Sequence, residues 1–418
     1  MVPAPSPAAG TRGALADVRV VELASFIAGP SVGMLLADHG AQVIKVEHPQ
    51  GGDGIRTWGN RKRGVGLYHK LLNRNKRTVT ADLKTPLGVE IVCRLVRGAD
   101  VLIENFRPGT LERWGLGYDV LEAINPALVM VRVSGFGQSG PYRERAGFGS
   151  LAEAMTGFAH TNGYADRPPL LPGFAMADTT TGLAGAFLTL TALHARAARG
   201  GRGQVVDLPI YEPLLTLLGP HVIEYDQLGV IAQRAGSRLS LIAPRGTFQT
   251  RDGKWIAISA GAPAVFAGLC AALAVPDAAA DPRFADNQAR RANEDALEAI
   301  LREAFARFDQ HELLARLTAH GAAAAPIYSV ADVMADPHAL ARENFVAVWD
   351  EELGTEVRMQ NVIGKLSATP GAVRHAGAPL AAHNREVLIG ELGFTEAELA
   401  AAGIVLDAPE RDATVQAS

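Results

Sequence analysis

From Val18 onward, short runs rich in β-branched residues alternate with stretches of helical periodicity, and this alternation limits the possible folds more than any other feature of the chain. Residues 18–23 and 42–46 read as strands on either side of a helix near 30–39. The pattern continues with a strand at 78–82, a helix at 86–97, and strands at 100–104 and 128–134. Strands joined through helices must run parallel, because a tight turn cannot reverse the chain across a helix. The expected class is therefore α/β, with a Rossmann-like large domain built on a parallel sheet. Ligands of such sheets lie beyond the carboxyl ends of the strands, here the loops 25–30, 47–53, 105–109 and 134–142.

A chain of 418 residues is long enough for more than one folded unit. We expect the large domain over 14–220, a linker over 221–245, and a smaller α+β domain over 246–341. In the small domain, a hairpin turns at Arg251-Asp252-Gly253 and helices follow at 295–308 and 310–320. Residues 342–406 are expected to return to the large domain, and 1–13 and 407–418 to be disordered tails. The composition, 48% hydrophobic and 20% charged, is that of a globular protein. A net charge of −4 argues against a nucleic-acid partner. No apolar run is long enough to cross a membrane, and the N-terminal residues lack the basic start and apolar stretch of a secretory signal. Cys93 and Cys270 sit in separate apolar segments and read as reduced thiols, which fits a cytoplasmic protein.

Several constellations carry candidate chemistry. Gly135-Phe136-Gly137-Gln138-Ser139-Gly140 matches a dinucleotide-binding string, but it follows a late strand and runs into Pro141 instead of a helix, so a glycine-rich loop beside a substrate pocket fits better. Asp178 stands where a helix begins that ends before Gly200 and Gly201. An aspartate there reads either as a helix cap or as a carboxylate presented at the ligand edge, and the two roles are compatible. Arg74, Lys76, Arg77, Lys84, Asn105, Arg107 and Arg113 cluster near predicted strand ends and suggest an anionic ligand with phosphate groups. His39, His48 and His69 lack metal-ligand spacing, so no metal is expected. A G-x-S-x-G elbow does not occur.

The order and content of Val21-Glu22-Leu23-Ala24-Ser25-Phe26-Ile27-Ala28-Gly29-Pro30, Gly40-Ala41-Gln42-Val43-Ile44-Lys45-Val46-Glu47, Glu104-Asn105-Phe106-Arg107-Pro108-Gly109 and Gly201-Arg202-Gly203-Gln204-Val205-Val206-Asp207 resemble the class III coenzyme A transferases, a family that includes the formyl-coenzyme A transferases. The resemblance implies transfer of coenzyme A from an acyl donor to a carboxylic acid, with coenzyme A as co-substrate and no other cofactor. It also implies an interlocked homodimer. Asp178 falls where the family's nucleophilic aspartate lies. Ile27, Ala28, His48, Arg77, Lys84, Asn105, Phe106, Arg107 and Arg113 fall where family members contact coenzyme A. Ser25, Phe136, Gly137 and Phe148 are expected in the substrate pocket.

Two departures narrow the reading. The glycine run of the formyl-coenzyme A transferases is replaced by Ser237-Arg238-Leu239-Ser240-Leu241-Ile242-Ala243-Pro244, which argues against formate or oxalate. Phe148 stands where the family's racemases place a histidine base, and phenylalanine cannot move a proton. A 2-methylacyl-coenzyme A racemase, an NAD-dependent dehydrogenase and a non-catalytic acyl-coenzyme A binding protein remain the alternative readings.

Overall fold

The computed structural model describes residues 13–407, so most of both expected tails lies outside the described residues. Six parallel strands form the principal sheet, in the spatial order Lys76–Thr80, Gln42–Glu47, Arg19–Glu22, Val101–Glu104, Val129–Ser134 and Val205–Pro209. The first strand is central, with Val21 beside Ile44 on one side and Leu102 on the other.

Strand periodicity explains how the sheet is covered. Val21, Ile44, Val79, Leu102 and Met130 face one side, where Ile91, Val92 and Leu95 of the helix Pro86–Arg97 bury against them. Val20, Val43, Val101, Val129 and Val131 face the other side and share a core with Val32 and Leu36 of the helix Ala28–Asp38 and Ala177 of the helix Met176–Ala198. These two helices approach closely because Gly182 and Gly185 present no side chains to Ser31 and Val32; an added β-carbon would stand 2.4 Å and 2.5 Å from them, respectively. Burial on both faces accounts for the nearly continuous apolar character of the inner strands.

Strand order reverses direction between Arg19–Glu22 and Val101–Glu104, since the chain builds outward on one side through Gln42–Glu47 and then crosses to the other. The carboxyl edge at such a switch point is the expected ligand position of a doubly wound sheet. The sixth strand, Val205–Pro209, was legible in the sequence only as part of a motif.

The chain divides into two compact units. One comprises residues up to Phe158, Leu171–Pro220 and the chain from Leu340 on. In its last part, Val387, Leu388, Phe394 and Leu399 join the core of the sheet's first face, and Asn384 Oδ1 accepts the Thr80 amide at 2.8 Å. The hairpin Phe345–Asp350 and Thr355–Gln360 is tied to this unit by Lys70, whose Nζ lies 2.7 Å from Asp350.

The second unit takes in 159–170 and His221–Ala339. The stretch 221–245, expected as a linker, contains the helix His221–Leu228 and groups with this unit. Its antiparallel sheet, Ala324–Pro326, Trp255–Ser259 and Arg245–Gln249, packs Phe248, Ile256 and Ile258 against Phe266, Leu297, Leu301 and Phe305. The hairpin turn falls at the expected residues, between Gln249 and Trp255. Among the described residues, no helix is long and apolar enough to cross a membrane.

Candidate active site

Asp178 lies in the first turn of the helix Met176–Ala198, which begins three residues earlier than the start at Thr179 that the sequence suggests. Ala175 is therefore the capping position, and the aspartate is free of that duty. Its carboxylate is pressed against the helix Gly149–Met155, where an added β-carbon on Gly149 would fall 2.2 Å from Oδ2. One turn further along that helix, the buried Glu153 accepts the Ala177 amide at 3.2 Å. Burial, and then the negative charge of Glu153, push the Asp178 carboxyl up to about 6, while its helix-end amide pulls the other way. Asp178 is thus ionised at neutral pH yet more basic than an exposed aspartate.

The carboxylate opens into a cleft of about 320 Å³ at the carboxyl edge of the sheet, lined in part by Ser25, Phe26, Ile27 and Ala28, by Asn105, Phe106 and Arg107, and by Arg143, Arg145 and Phe148. The loop after the first strand is fixed from two directions. Asn105 makes a reciprocal pair with Ser25, accepting its amide at 2.8 Å and donating to its carbonyl at 2.7 Å. Asp53 accepts the Phe26 amide at 2.9 Å, which holds Phe26 in the left-handed region at φ 62°. Asp53 is itself fixed by the buried Lys45, 2.9 Å away, and Lys45 also binds Glu22 at 2.9 Å. Asn105 and Phe106 are aimed by the preceding Glu104, which accepts the Phe106 amide at 2.7 Å and pairs with Arg132 at 2.7 Å.

A second recess, of about 120 Å³, shares Ser25 and Phe106 with the cleft and continues to His48, Asp82, Leu83 and Lys84. Trp114 stacks edge-on against Phe106 at 5.1 Å and forms part of its wall. Arg113 lies in an adjoining recess with Pro108 and Arg143, its guanidinium donating to Thr110 Oγ1 at 2.9 Å. The structure therefore gathers Asp178, Ser25, Ile27, Ala28, Asn105, Phe106, Arg107 and Phe148 into one cleft, with His48, Lys84 and Arg113 in neighbouring recesses.

Other candidates lie elsewhere. Arg77 sits near the amino ends of the strands, beside Arg19, Gln42 and Gly98, and its guanidinium is taken up by Glu386 and Glu391. Arg74 pairs with Asp38, and the fully buried Lys76 lies 2.8 Å from Glu22. These basic groups hold the fold together, and the basic cluster read from the sequence is divided between the two edges of the sheet. Phe136 does not line the cleft; its ring packs against Tyr142 and Tyr211, with centroids 5.8 Å and 6.4 Å away. The Gly137 amide is used by Ser134 Oγ at 2.9 Å and the Gln138 amide by Asp207. Of the glycine-rich string, Gly135 reaches the cleft, where it crosses Gly147 so closely that a β-carbon would lie 2.5 Å from the Gly147 Cα. No helix follows the string until Gly149, which removes the phosphate-binding geometry of a dinucleotide loop.

Sequence reasoning did not single out Gly149, Glu153, Asp53, Arg143 or Arg145. The spacing of Gly149 and Glu153, four residues apart on one helix face, was the available signal for the first two.

The family model of CoA-transferase family III matches residues 15–384. The chain belongs to CoA-transferase family III. Among the relatives of this CoA-transferase, a succinyl-CoA–D-citramalate CoA-transferase from Chloroflexus aurantiacus is 46% identical over 92% of this chain and 96% of that protein. The succinyl-CoA–L-malate CoA-transferase beta subunit of the same organism is 42% identical, over 92% of this chain and 96% of that protein. A CAIB/BAIF family protein from Brucella suis has a crystal structure that superposes with a TM-score of 0.80 at 38% identity, covering 91% of this chain and all of that one. In this CoA-transferase the Asp178 carboxylate faces a cleft that Arg107, Arg143 and Arg145 also line, which brings positive charge within reach of carboxylate or phosphate groups.

Proposed function

We propose that this CoA-transferase moves coenzyme A from succinyl-CoA or a similar dicarboxylic acyl-CoA to a second dicarboxylic acid, with Asp178 as the covalent nucleophile. The observation that carries this reading is the Asp178 carboxylate opening into the cleft formed by the 25–28 and 105–107 loops. The names of its relatives favour succinyl-CoA as donor and a hydroxylated dicarboxylic acid such as malate or citramalate as acceptor.

In the proposed reaction, an Asp178 oxygen attacks the thioester carbonyl, forming a C–O bond and expelling the coenzyme A thiolate. The thiolate attacks the aspartyl carbonyl of the mixed anhydride, releasing the donor acid and leaving an enzyme thioester. The acceptor carboxylate attacks that thioester and expels the thiolate again. Finally, the thiolate attacks the acceptor's acyl carbonyl, giving the new thioester and restoring the Asp178 carboxylate. Each intermediate keeps an activated acyl group, so the free energy of the thioester is conserved through the cycle.

The remaining residues fit defined roles. His48 and Lys84 line the recess beyond Phe106, a fitting place for the phosphate-bearing part of coenzyme A. Arg107 and Arg145 have no carboxylate partner among the described residues. Arg145 is stacked 3.6 Å above the Tyr142 ring, which leaves its donors available to the distal carboxylate of a dicarboxylic acid. Phe148, 65% exposed at the cleft wall, offers no proton-transfer group.

A homodimer belongs to the same proposal. Leu183, Phe187 and Leu190 line one face of the Asp178 helix and are exposed, Phe187 to 68%, which is the kind of surface a partner chain covers. A cytoplasmic location fits the free Cys93 and Cys270. The test is product analysis by mass spectrometry with a panel of acyl-CoA donors and acids: acyl exchange between succinyl-CoA and a dicarboxylic acid supports the assignment. Deuterium exchange at Cα of a 2-methylacyl-CoA without transfer would instead identify a racemase.

A further inference from the structure

Two residues one turn apart on the helix Gly149–Met155 face the start of the Asp178 helix. Gly149 leaves the space that Asp178 Oδ2 occupies, and Glu153 accepts the amide of Ala177, the residue immediately before the aspartate. Glu153 is only 4% exposed, so its carboxylate is a buried charge set beside a second carboxylate. Burying two like charges together costs stability, and an amide side chain of the same shape would accept the Ala177 proton without that cost. The arrangement makes sense when the charge itself is useful.

We propose that Glu153 is a positioning residue for the nucleophile: it anchors the first turn of the Asp178 helix through the Ala177 amide and sets a negative charge beside the Asp178 carboxylate. This rests on the reading of Asp178 as the nucleophile. A carboxylate attacks a thioester through its ionised form, and its nucleophilicity rises with its basicity. Glu153 therefore trades acid tolerance for reactivity, giving a faster nucleophile that is lost to protonation at a higher pH.

Other charged groups around Asp178 oppose or dilute this effect without replacing it. Arg107, Arg143 and Arg145 line the same cleft and favour the ionised form. Burial raises the phenol of Tyr68 on the helix Leu67–Leu72, and the Asp178 charge raises it further. The helix Tyr211–Thr216 brings Glu212, raised by burial and by Asp207 of the neighbouring strand. Arg132 on the strand Val129–Ser134 is neutralised by Glu104 and Glu112, and Asp38 on the helix Ala28–Asp38 by Arg74. Glu153, by contrast, is hydrogen-bonded to the residue next to Asp178, through the Ala177 amide at 3.2 Å.

The variant Glu153→Gln keeps an oxygen for the Ala177 amide and removes the charge, which separates the two roles. The experiment follows formation of the enzyme-bound coenzyme A thioester on Asp178 by quenched mass spectrometry across pH 4.5–8.5, in wild type and Glu153→Gln. The proposal expects the acid-side midpoint to fall by about one pH unit in the variant, with the rate at pH 8 lowered roughly 3- to 10-fold. An unmoved midpoint, with the adduct still forming on Asp178, would overturn the role of Glu153 and leave the nucleophile assignment intact. Absence of any Asp178 adduct in wild type would overturn both. Glu153→Ala, which also loses the amide acceptor, should slow the reaction further at every pH; equal rates for the two variants would contradict the anchoring role.

Discussion

Asp178 Oδ2 occupies the space that a side chain on Gly149 would fill, since a β-carbon there would lie 2.2 Å away. The position of the Asp178 carboxylate is therefore set by the absence of a side chain on a neighbouring helix. Gly149→Ala should displace the carboxylate and lower kcat roughly 100-fold, because a shift of about 1 Å at a reacting atom is enough for such a loss. Circular dichroism and thermal melting should show a folded protein. Near-normal turnover would mean that Asp178 can relocate freely.

The raised Asp178 value makes a prediction about stability. With a folded-state pKa of about 6 above an ordinary value of 3.8, the ionised group costs stability at pH above 6, and the cost disappears below 3.8 where both states are protonated. Asp178→Asn should stabilise the protein at pH 8 by about 1–2 kcal/mol, less than a full shift would give because the group is partly solvated. The gain should shrink as pH falls from 6 towards 3.8. Denaturant melts of the two proteins at pH 5 and pH 8 measure it.

Asp53 holds the strained turn beneath the cleft. Its carboxylate accepts the Phe26 and Ile55 amides and meets Lys45. Asp53→Ala would leave buried donors unsatisfied, a loss of roughly 2–4 kcal/mol, and should raise KM for acyl-CoA as the 25–28 loop loosens. Phe26→Gly in the same background should recover about 1 kcal/mol, since glycine takes the left-handed conformation at no steric cost. Denaturant titration and steady-state kinetics report the two effects separately.

Lys84 and Arg77 are predicted to behave differently although both were basic candidates in the sequence. Lys84→Ala should raise KM for acyl-CoA about 5- to 20-fold with little change in kcat, the pattern of a lost binding contact, and the effect should diminish at high salt. Arg77→Ala should leave KM unchanged and lower stability through the loss of Glu386 and Glu391 as partners. Kinetics at two ionic strengths distinguish them.

That contrast shows what a linear sequence carries and what it lacks. The sheet was readable because Val20 and Val21, like Val43 and Ile44, send side chains to opposite covered faces, so the strands appear as continuous apolar runs. Val205–Pro209 was harder to recognise because, as an edge strand, it buries only Leu208 and Pro209. Whether a lysine or arginine serves a ligand depends on which edge of the sheet it meets and on whether an acid far along the chain has taken it up. Arg77 meets Glu386 and Glu391, contacts that no local pattern announces. Asp178 stood out through its place at a helix start and its family resemblance. Glu153 and Gly149 acquire meaning only from the packing of their helix on another.

The central claim is that Asp178 carries the acyl group and then coenzyme A. Incubation with succinyl-CoA, followed by rapid quenching and peptide mass spectrometry, tests it directly. A coenzyme A thioester confined to the Asp178 peptide, removed by hydroxylamine and absent in Asp178→Ala, is the predicted result. Undiminished transfer by Asp178→Ala, or a thioester on another residue, would contradict the account.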